Sequence, residues 1–155
     1  MASRGLIRID GLKELDEALS QLPKATAKSV LRRTAIRALA PVIADARARV
    51  PVDEGDLKAS LKVSTKLSKR QQRINAKSVA EGKSSVQLYA GAAALPHAHL
   101  VEFGTSTMAP QPFMRPAWDS KKGEVLELVR TELADEITKA AARAARKAAR
   151  LAAKG

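Results

Sequence analysis

The segment that most constrains this chain runs from residue 97 to residue 118 and reads HAHLVEFGTSTMAPQPFMRPAW. It holds both histidines, both phenylalanines, the only tryptophan and three of the seven prolines. The remainder is poor in aromatic residues and rich in alanine, 30 in the whole chain, and alanine favours helix but buries little apolar area. The bulky side chains available for a core or an interface are therefore concentrated in this one segment.

Composition limits the classes of protein to which the chain can belong. Its 155 residues suffice for one domain with a modest core, and because so much of the apolar fraction is alanine, we expect neighbouring subunits to complete its stability. The net charge of +12 indicates an anionic partner such as nucleic acid. The absence of cysteine excludes disulfides and cysteine-based zinc sites. The first residues contain no long apolar run, which predicts neither a signal peptide nor a membrane span.

The N-terminal half has the apolar spacing of two helices. Leucines recur at helical spacing over residues 12–22, and a longer apolar stripe covers residues 25–50. Pro41 lies inside the second pattern and is expected to kink that helix or break it in two, because proline removes a backbone donor. After a turn, Asp53 is placed to cap a short helical turn that begins at Asp56.

Alternating patterns predict short strands. Residues 6–10, 61–67 and 85–91 alternate apolar and polar side chains, and the last two are expected to pair antiparallel around a polar loop. We therefore predict an α+β fold in which a small antiparallel sheet is packed by one long helix from the N-terminal half and one long C-terminal helix.

The C-terminal third is predicted to be mostly helical. Residues 97–103 suggest a short helix that ends at Gly104 in a left-handed cap, and a long helix begins at Phe113 or Pro116. Its last part is distinct, and we divide the chain into a domain of residues 1–138 and a basic extension of residues 139–155. Six cations of the extension share a helical arc of roughly 100° and form what we name the basic stripe: Lys139, Arg143, Arg146, Lys147, Arg150 and Lys154.

The basic stripe has more than one interpretation. It can be a solvated face that keeps an alanine-rich helix soluble, or it can face the phosphate backbone of DNA. Two other segments, residues 24–49 and 58–83, are also predominantly basic, which favours the second interpretation. Gripping a neighbouring protein ring is a third possibility. The apolar back of this helix is mostly alanine, so membrane insertion is disfavoured.

Metal binding and catalysis find little support in the residue pattern. His97, His99 and Glu102 are candidate metal ligands, but on a helix the two histidines point apart and no third histidine exists. We expect no metal, no cofactor and no enzyme activity, because no nucleophile elbow, phosphate loop or carboxylate constellation is present. Glu102 lies between apolar residues, and we expect it to pair with Arg115, either within a subunit or across an interface.

Two motifs, VPVDEGDLKASL and VEFGT followed by PFMRPA, occur in an order that resembles the neck or tail-completion proteins of long-tailed bacteriophages. The resemblance extends over residues 6–133, and the basic extension lies outside it. The first motif comprises Val50, Pro51, Asp53, Gly55, Leu57 and Ser60. The second comprises Glu102, Phe103, Gly104, Thr105, Pro112, Phe113, Arg115, Pro116 and Ala117, with Trp118 directly after it.

The resemblance implies a structural protein without catalytic residues, built as an α+β fold. It implies an oligomeric ring at the head-to-tail junction, around the channel through which DNA passes, in contact with connector, head-completion and tail proteins. Such a protein belongs to the virion and is present in the host cytoplasm during assembly, with no membrane partner. The competing interpretation is a stand-alone basic DNA-binding protein of the chromatin-organising kind, which has no need for either motif.

Overall fold

The predicted α+β class is confirmed. The computed structural model describes residues 12–51, 55–67, 69, 72–73, 86–92, 95 and 97–154. Along the chain we number the elements α1 (Leu12–Ser20), α2 (Lys24–Arg49), α3 (Asp56–Ser60), β1 (Leu61–Ser64), β2 (Tyr89–Ala92), α4 (Ala98–Phe103) and α5 (Met114–Ala152). The strand predicted for residues 6–10 and the cap predicted at Asp53 lie outside the described residues.

Helices α2 and α5 form an antiparallel pair that supports the rest of the fold. Near the start of α2, Arg33 bonds Glu136 at 2.9 Å, whereas near its end Asp45 accepts a bond from Ser120 at 3.0 Å. The numbers rise along one helix as they fall along the other, so the two helices run in opposite directions. At 1.5 Å per residue the 39 residues of α5 extend for about 58 Å, and the 26 residues of α2 for about 39 Å.

The core divides into two apolar clusters along this pair. One joins α2 and α5 to the sheet and includes Val42, Leu61 and Phe113, whose side chains are almost completely buried. The other joins α1 to the opposite end of the pair and consists of Leu19, Ala27, Val30, Leu133, Ile137 and Ala140. Alanine occupies several contact positions in both clusters, which allows the helices to approach closely.

Pro41 lies inside α2 without ending it, so of the two expected outcomes, a kink or a break, the break does not occur. The ring removes one backbone hydrogen bond. The next two residues, Val42 and Ile43, are buried in the cluster beside the sheet. We attribute the continuity of the helix to this packing, which offsets the lost bond.

The two strands pair antiparallel, as predicted, with Leu61 opposite Ala92 and Val63 opposite Ala90. The alternation of buried and exposed side chains along β1 also agrees with the prediction, since Leu61 is fully buried and Lys62 is exposed. Both strands are shorter than predicted, four residues each. β1 ends at Ser64 because its hydroxyl accepts a bond from the backbone N–H of Lys66 and donates to the Lys66 carbonyl, which turns the chain.

Candidate functional site

The two sequence motifs meet at the end of the α2–α5 pair that carries the sheet. A groove of about 470 Å³ is lined by Pro51, Gly55 and Leu57 from the first motif region and by Val101 and other residues around the second. Val50 and Leu57 are buried, so the first motif contributes to the core as well as to the groove. The sequence alone placed the motifs about 50 residues apart and gave no indication of their contact.

Around α3 the first motif forms a tight turn. Gly55 precedes the helix with φ of +84°, in the left-handed region that favours glycine, and no side chain of a described residue caps the helix start. The hydroxyl of Ser60 donates to the carbonyl of Leu57 at 2.7 Å. Arg47 donates from α2 to the carbonyl of Leu61 at 2.6 Å, which ties the end of this motif to the long helix.

The second motif forms a compact corner between α4 and α5. Helix α4 ends at Gly104, which has φ of +75° and ψ of 178°, so φ is positive as predicted but ψ lies outside the left-handed helical region. A Cβ at this position would lie 2.8 Å from both the Met108 carbonyl oxygen and the Pro110 nitrogen. Thr105 holds the loop that follows, because its N–H donates to the Met108 carbonyl and its hydroxyl accepts from the Met108 N–H. Only glycine fits this turn without strain.

Glu102 closes the corner by capping the start of α5. Its Oε2 accepts the backbone N–H groups of Phe113 at 2.8 Å and Met114 at 3.0 Å, and its Oε1 accepts that of Arg115 at 3.0 Å. The next residue, Pro116, has no N–H to satisfy. One carboxylate therefore serves every free donor in the first turn of the helix, where the macrodipole also favours negative charge.

The expected ion pair between Glu102 and the Arg115 side chain does not form within the chain. Both carboxylate oxygens are directed at backbone N–H groups, and the Arg115 guanidinium lies over the Phe103 ring, 5.8 Å from its centroid. Burial raises the pKa of Glu102, but the three backbone bonds and the nearby Arg115 charge outweigh it, so the pKa lies below its ordinary value. Glu102 is consequently an anionic structural residue.

An open apolar groove of about 710 Å³ lies beside this corner, and we name it the corner groove. Two large aromatic side chains at its rim are exposed, Phe103 to 65% and Trp118 to 46%, whereas the side chain of Phe113 beneath them is buried. Elements α2, β2, α4 and α5 all contribute to its lining: Leu39, Val42, Leu88, Ala90, Gly91, Ala92, Leu95, Ala98, His99, Glu102, Phe103, Phe113, Met114, Arg115 and Trp118. An exposed aromatic surface on a rigid frame is typical of a protein–protein contact.

The remaining residues of the second motif lie outside the lining of the corner groove. Thr105 and Pro112 are exposed, Pro116 is half-buried, and Ala117 is fully buried against the core. In the described parts of the chain, no three His, Cys, Asp or Glu side chains cluster as metal ligands do. His97 and His99 flank the start of α4, and the carboxylate of Glu102 is already occupied by backbone donors.

Five of the six cations of the basic stripe lie on the last part of α5, Lys154 follows the end of the helix, and all six are exposed. The helix passes residues 138 and 139 without interruption, and the division into two domains at that point stays a prediction. Arg143 and Lys147 line a further groove of about 470 Å³ together with Pro23, Thr26 and other residues at the start of α2. No described helix is long and apolar enough to cross a membrane.

A charge network between α2 and α5 was missed by the sequence analysis. Glu136 is buried and bonds Arg33 at 2.9 Å, with Arg37 at 3.7 Å, and Arg37 also bonds Glu132 at 3.2 Å. Two cations that looked like a free basic surface are thus paired with acids about 100 residues away. The two cations are four residues apart, as are the two acids, and this matching spacing was the available signal.

Comparison with known families gives one match. The family model described as "Bacteriophage HK97-gp10, putative tail-component" matches residues 13–104. The matched span includes the first motif, both strands and the second motif as far as Gly104, and it ends before α5. No curated protein and no solved structure matches the chain.

Proposed function

The chain belongs to the HK97-gp10-like family of bacteriophage tail components, and from this membership we propose that it is a non-enzymatic structural protein of the head-to-tail junction. In this proposal several copies form a ring around the DNA channel, in contact with connector, head-completion and tail proteins. The protein acts in the virion and is assembled in the host cytoplasm.

The observation that carries the proposal is the corner groove. Phe103 and Trp118 expose large aromatic surface, although the chain has few aromatic residues to spend. The frame beneath them is rigid, because Glu102 satisfies the start of α5 and Gly104 fixes the loop. A rigid aromatic patch loses little conformational entropy on binding, and aromatic residues dominate binding energy at interfaces.

A structural role also agrees with how the polar groups of the corner are used. The one carboxylate in the lining of the groove, that of Glu102, accepts three backbone bonds and is held in its anionic form. The Arg115 guanidinium stacks on Phe103 and leaves its outer donors open to a partner. These groups support geometry and recognition without a reaction.

Native mass spectrometry and negative-stain images of the purified chain test this proposal. We expect discrete rings whose mass is a multiple of 16.6 kDa. The variant Trp118→Ala should weaken assembly, whereas Leu100→Ala, on α4 but outside the groove lining and 40% exposed, should not. A chain that stays monomeric at every concentration would contradict the ring.

A second candidate function, a stand-alone DNA-binding protein, is favoured by a different observation. The six cations of the basic stripe form no ion pair with any described residue. If they face DNA, removal of residues 139–155 lowers duplex affinity and flattens its dependence on salt. Equal duplex affinity of the full and shortened chains at both low and high salt rejects this candidate.

A further inference from the structure

The last part of α5 extends beyond the core, although Arg143 and Lys147 still line a groove with the start of α2. Ala140 is the last buried residue, and residues 141–152 continue as exposed helix for about 18 Å. Leu151 is 64% exposed, the bulkiest apolar side chain on this projecting part. These residues continue a helix that is already formed and so need no nucleation of their own, but no described residue of the same chain buries them.

The outer face of α1 has the opposite charge. Three exposed acids, Glu14, Asp16 and Glu17, spread across this face with one exposed cation, Lys13, among them, so its net charge is negative, and none of the acids forms an ion pair with a described residue. The inner face of α1 is occupied, because Leu19 packs against Ile137 and Ala140 of the same chain. Most other described acids are already engaged, so α1 presents the largest group of free carboxylates on one element.

We propose that the projecting end of α5 in one copy docks on the outer face of α1 in the next copy. This inference rests on the proposed homo-oligomer and names two surfaces that meet in it. The surfaces differ, so the contact is heterologous and repeats around a closed ring. Charge complementarity selects α1 as the partner. The apolar side chain of Leu151 can also be covered in a contact between proteins, whereas the phosphate groups of DNA offer it no apolar surface.

Charge reversal on each surface provides the test. The first variant carries Arg143→Glu, Arg146→Glu and Arg150→Glu, and the second carries Glu14→Lys, Asp16→Lys and Glu17→Lys. Each variant alone replaces opposite charges with like charges at three positions of the contact and should assemble roughly 3- to 150-fold more weakly, as the loss of three independent exposed pairs implies. An equimolar mixture should assemble again, because every contact in an alternating ring then joins opposite charges.

Sedimentation velocity measures the size of the assemblies that each variant forms, and circular dichroism confirms that each variant folds. A matched control carries three reversals on an unrelated exposed surface, Lys58→Glu, Lys62→Glu and Lys66→Glu, and should assemble as the wild-type chain does. If both charge-reversal variants assemble as the wild-type chain does, this inference is wrong and the proposed oligomer is not affected. The inference is also wrong if the first variant loses duplex binding while its assembly is unchanged, because that result assigns the basic stripe to DNA. A wild-type chain that never assembles overturns the proposed oligomer itself.

Discussion

Replacement of Glu102 by alanine should be among the most destabilising single changes at the corner. The substitution leaves the N–H groups of Phe113, Met114 and Arg115 without their acceptor. A cap that satisfies one donor contributes about 1 kcal/mol, and bonds to a charged acceptor are stronger. Because the carboxylate is half-buried, water replaces only part of the hydrogen bonding that these three N–H groups lose. We estimate a loss of about 2–4 kcal/mol, equivalent to a midpoint lowered by roughly 5–15 °C in a chain of this size.

Urea denaturation followed by circular dichroism measures this loss, at a concentration below that of assembly. Glu102→Gln should lose about half as much, since an amide has one acceptor oxygen and turns a donor toward another donor. Arg115→Met is the informative control, because a side-chain ion pair would make it as costly as the change at Glu102. We expect it to cost less than about 1 kcal/mol, the value of the stacking on Phe103. Equal losses at both positions would refute the capping interpretation.

The remaining predictions concern pH, the turn, the core and the groove. The stability advantage of wild type over Glu102→Gln should be complete above the ordinary glutamate pKa and fall as the pH drops through the lowered folded-state pKa, as urea titrations at acidic pH can measure. Gly104→Ala should cost at least about 2 kcal/mol in the same assay, from its positive φ and the close backbone atoms. Thr34→Val should stabilise by about 1 kcal/mol, because the buried hydroxyl has no partner among the described residues, whereas Thr131→Val should stay within about 0.5 kcal/mol. Trp118→Ala should leave unfolding nearly unchanged but weaken self-association by about 2 kcal/mol or more in sedimentation experiments.

Much of the secondary structure could be predicted because local signals were strong. Pro23 separates α1 from α2, and the predicted limits of α2 lie within one residue of those observed. The antiparallel pairing of β1 and β2 followed from alternation over both segments. Strand length did not, because the side-chain turn at Ser64 ends β1 early although the alternating pattern continues.

The role of Glu102 shows where reasoning from side chains alone fails. The nearby Arg115 made an ion pair the natural expectation, but three unpaired backbone N–H groups at the start of α5 converge on Glu102 and occupy both of its carboxylate oxygens. The position of Pro116 was a usable sign of a helix start whose donors needed an external acceptor. The sequence analysis placed the helix start at Phe113 or Pro116 but did not ask which acceptor serves its first donors.

Long-range charge pairing was beyond the sequence analysis for a different reason. Arg33 and Arg37 lie on a helix with many cations and few acids, which favoured the interpretation as a free basic surface. Their acids, Glu132 and Glu136, are on a helix near the other end of the chain. Only the antiparallel packing of α2 on α5 brings the four side chains together.

The most direct test of the structural role is particle assembly without this protein. An early stop codon in its coding sequence should yield filled heads and finished tails that accumulate separately, and the wild-type chain supplied from a plasmid should restore joined particles. The Trp118→Ala chain should restore few of them, and the Leu100→Ala chain should restore most. Intact, infectious particles formed in the complete absence of the protein would contradict its proposed place at the head-to-tail junction.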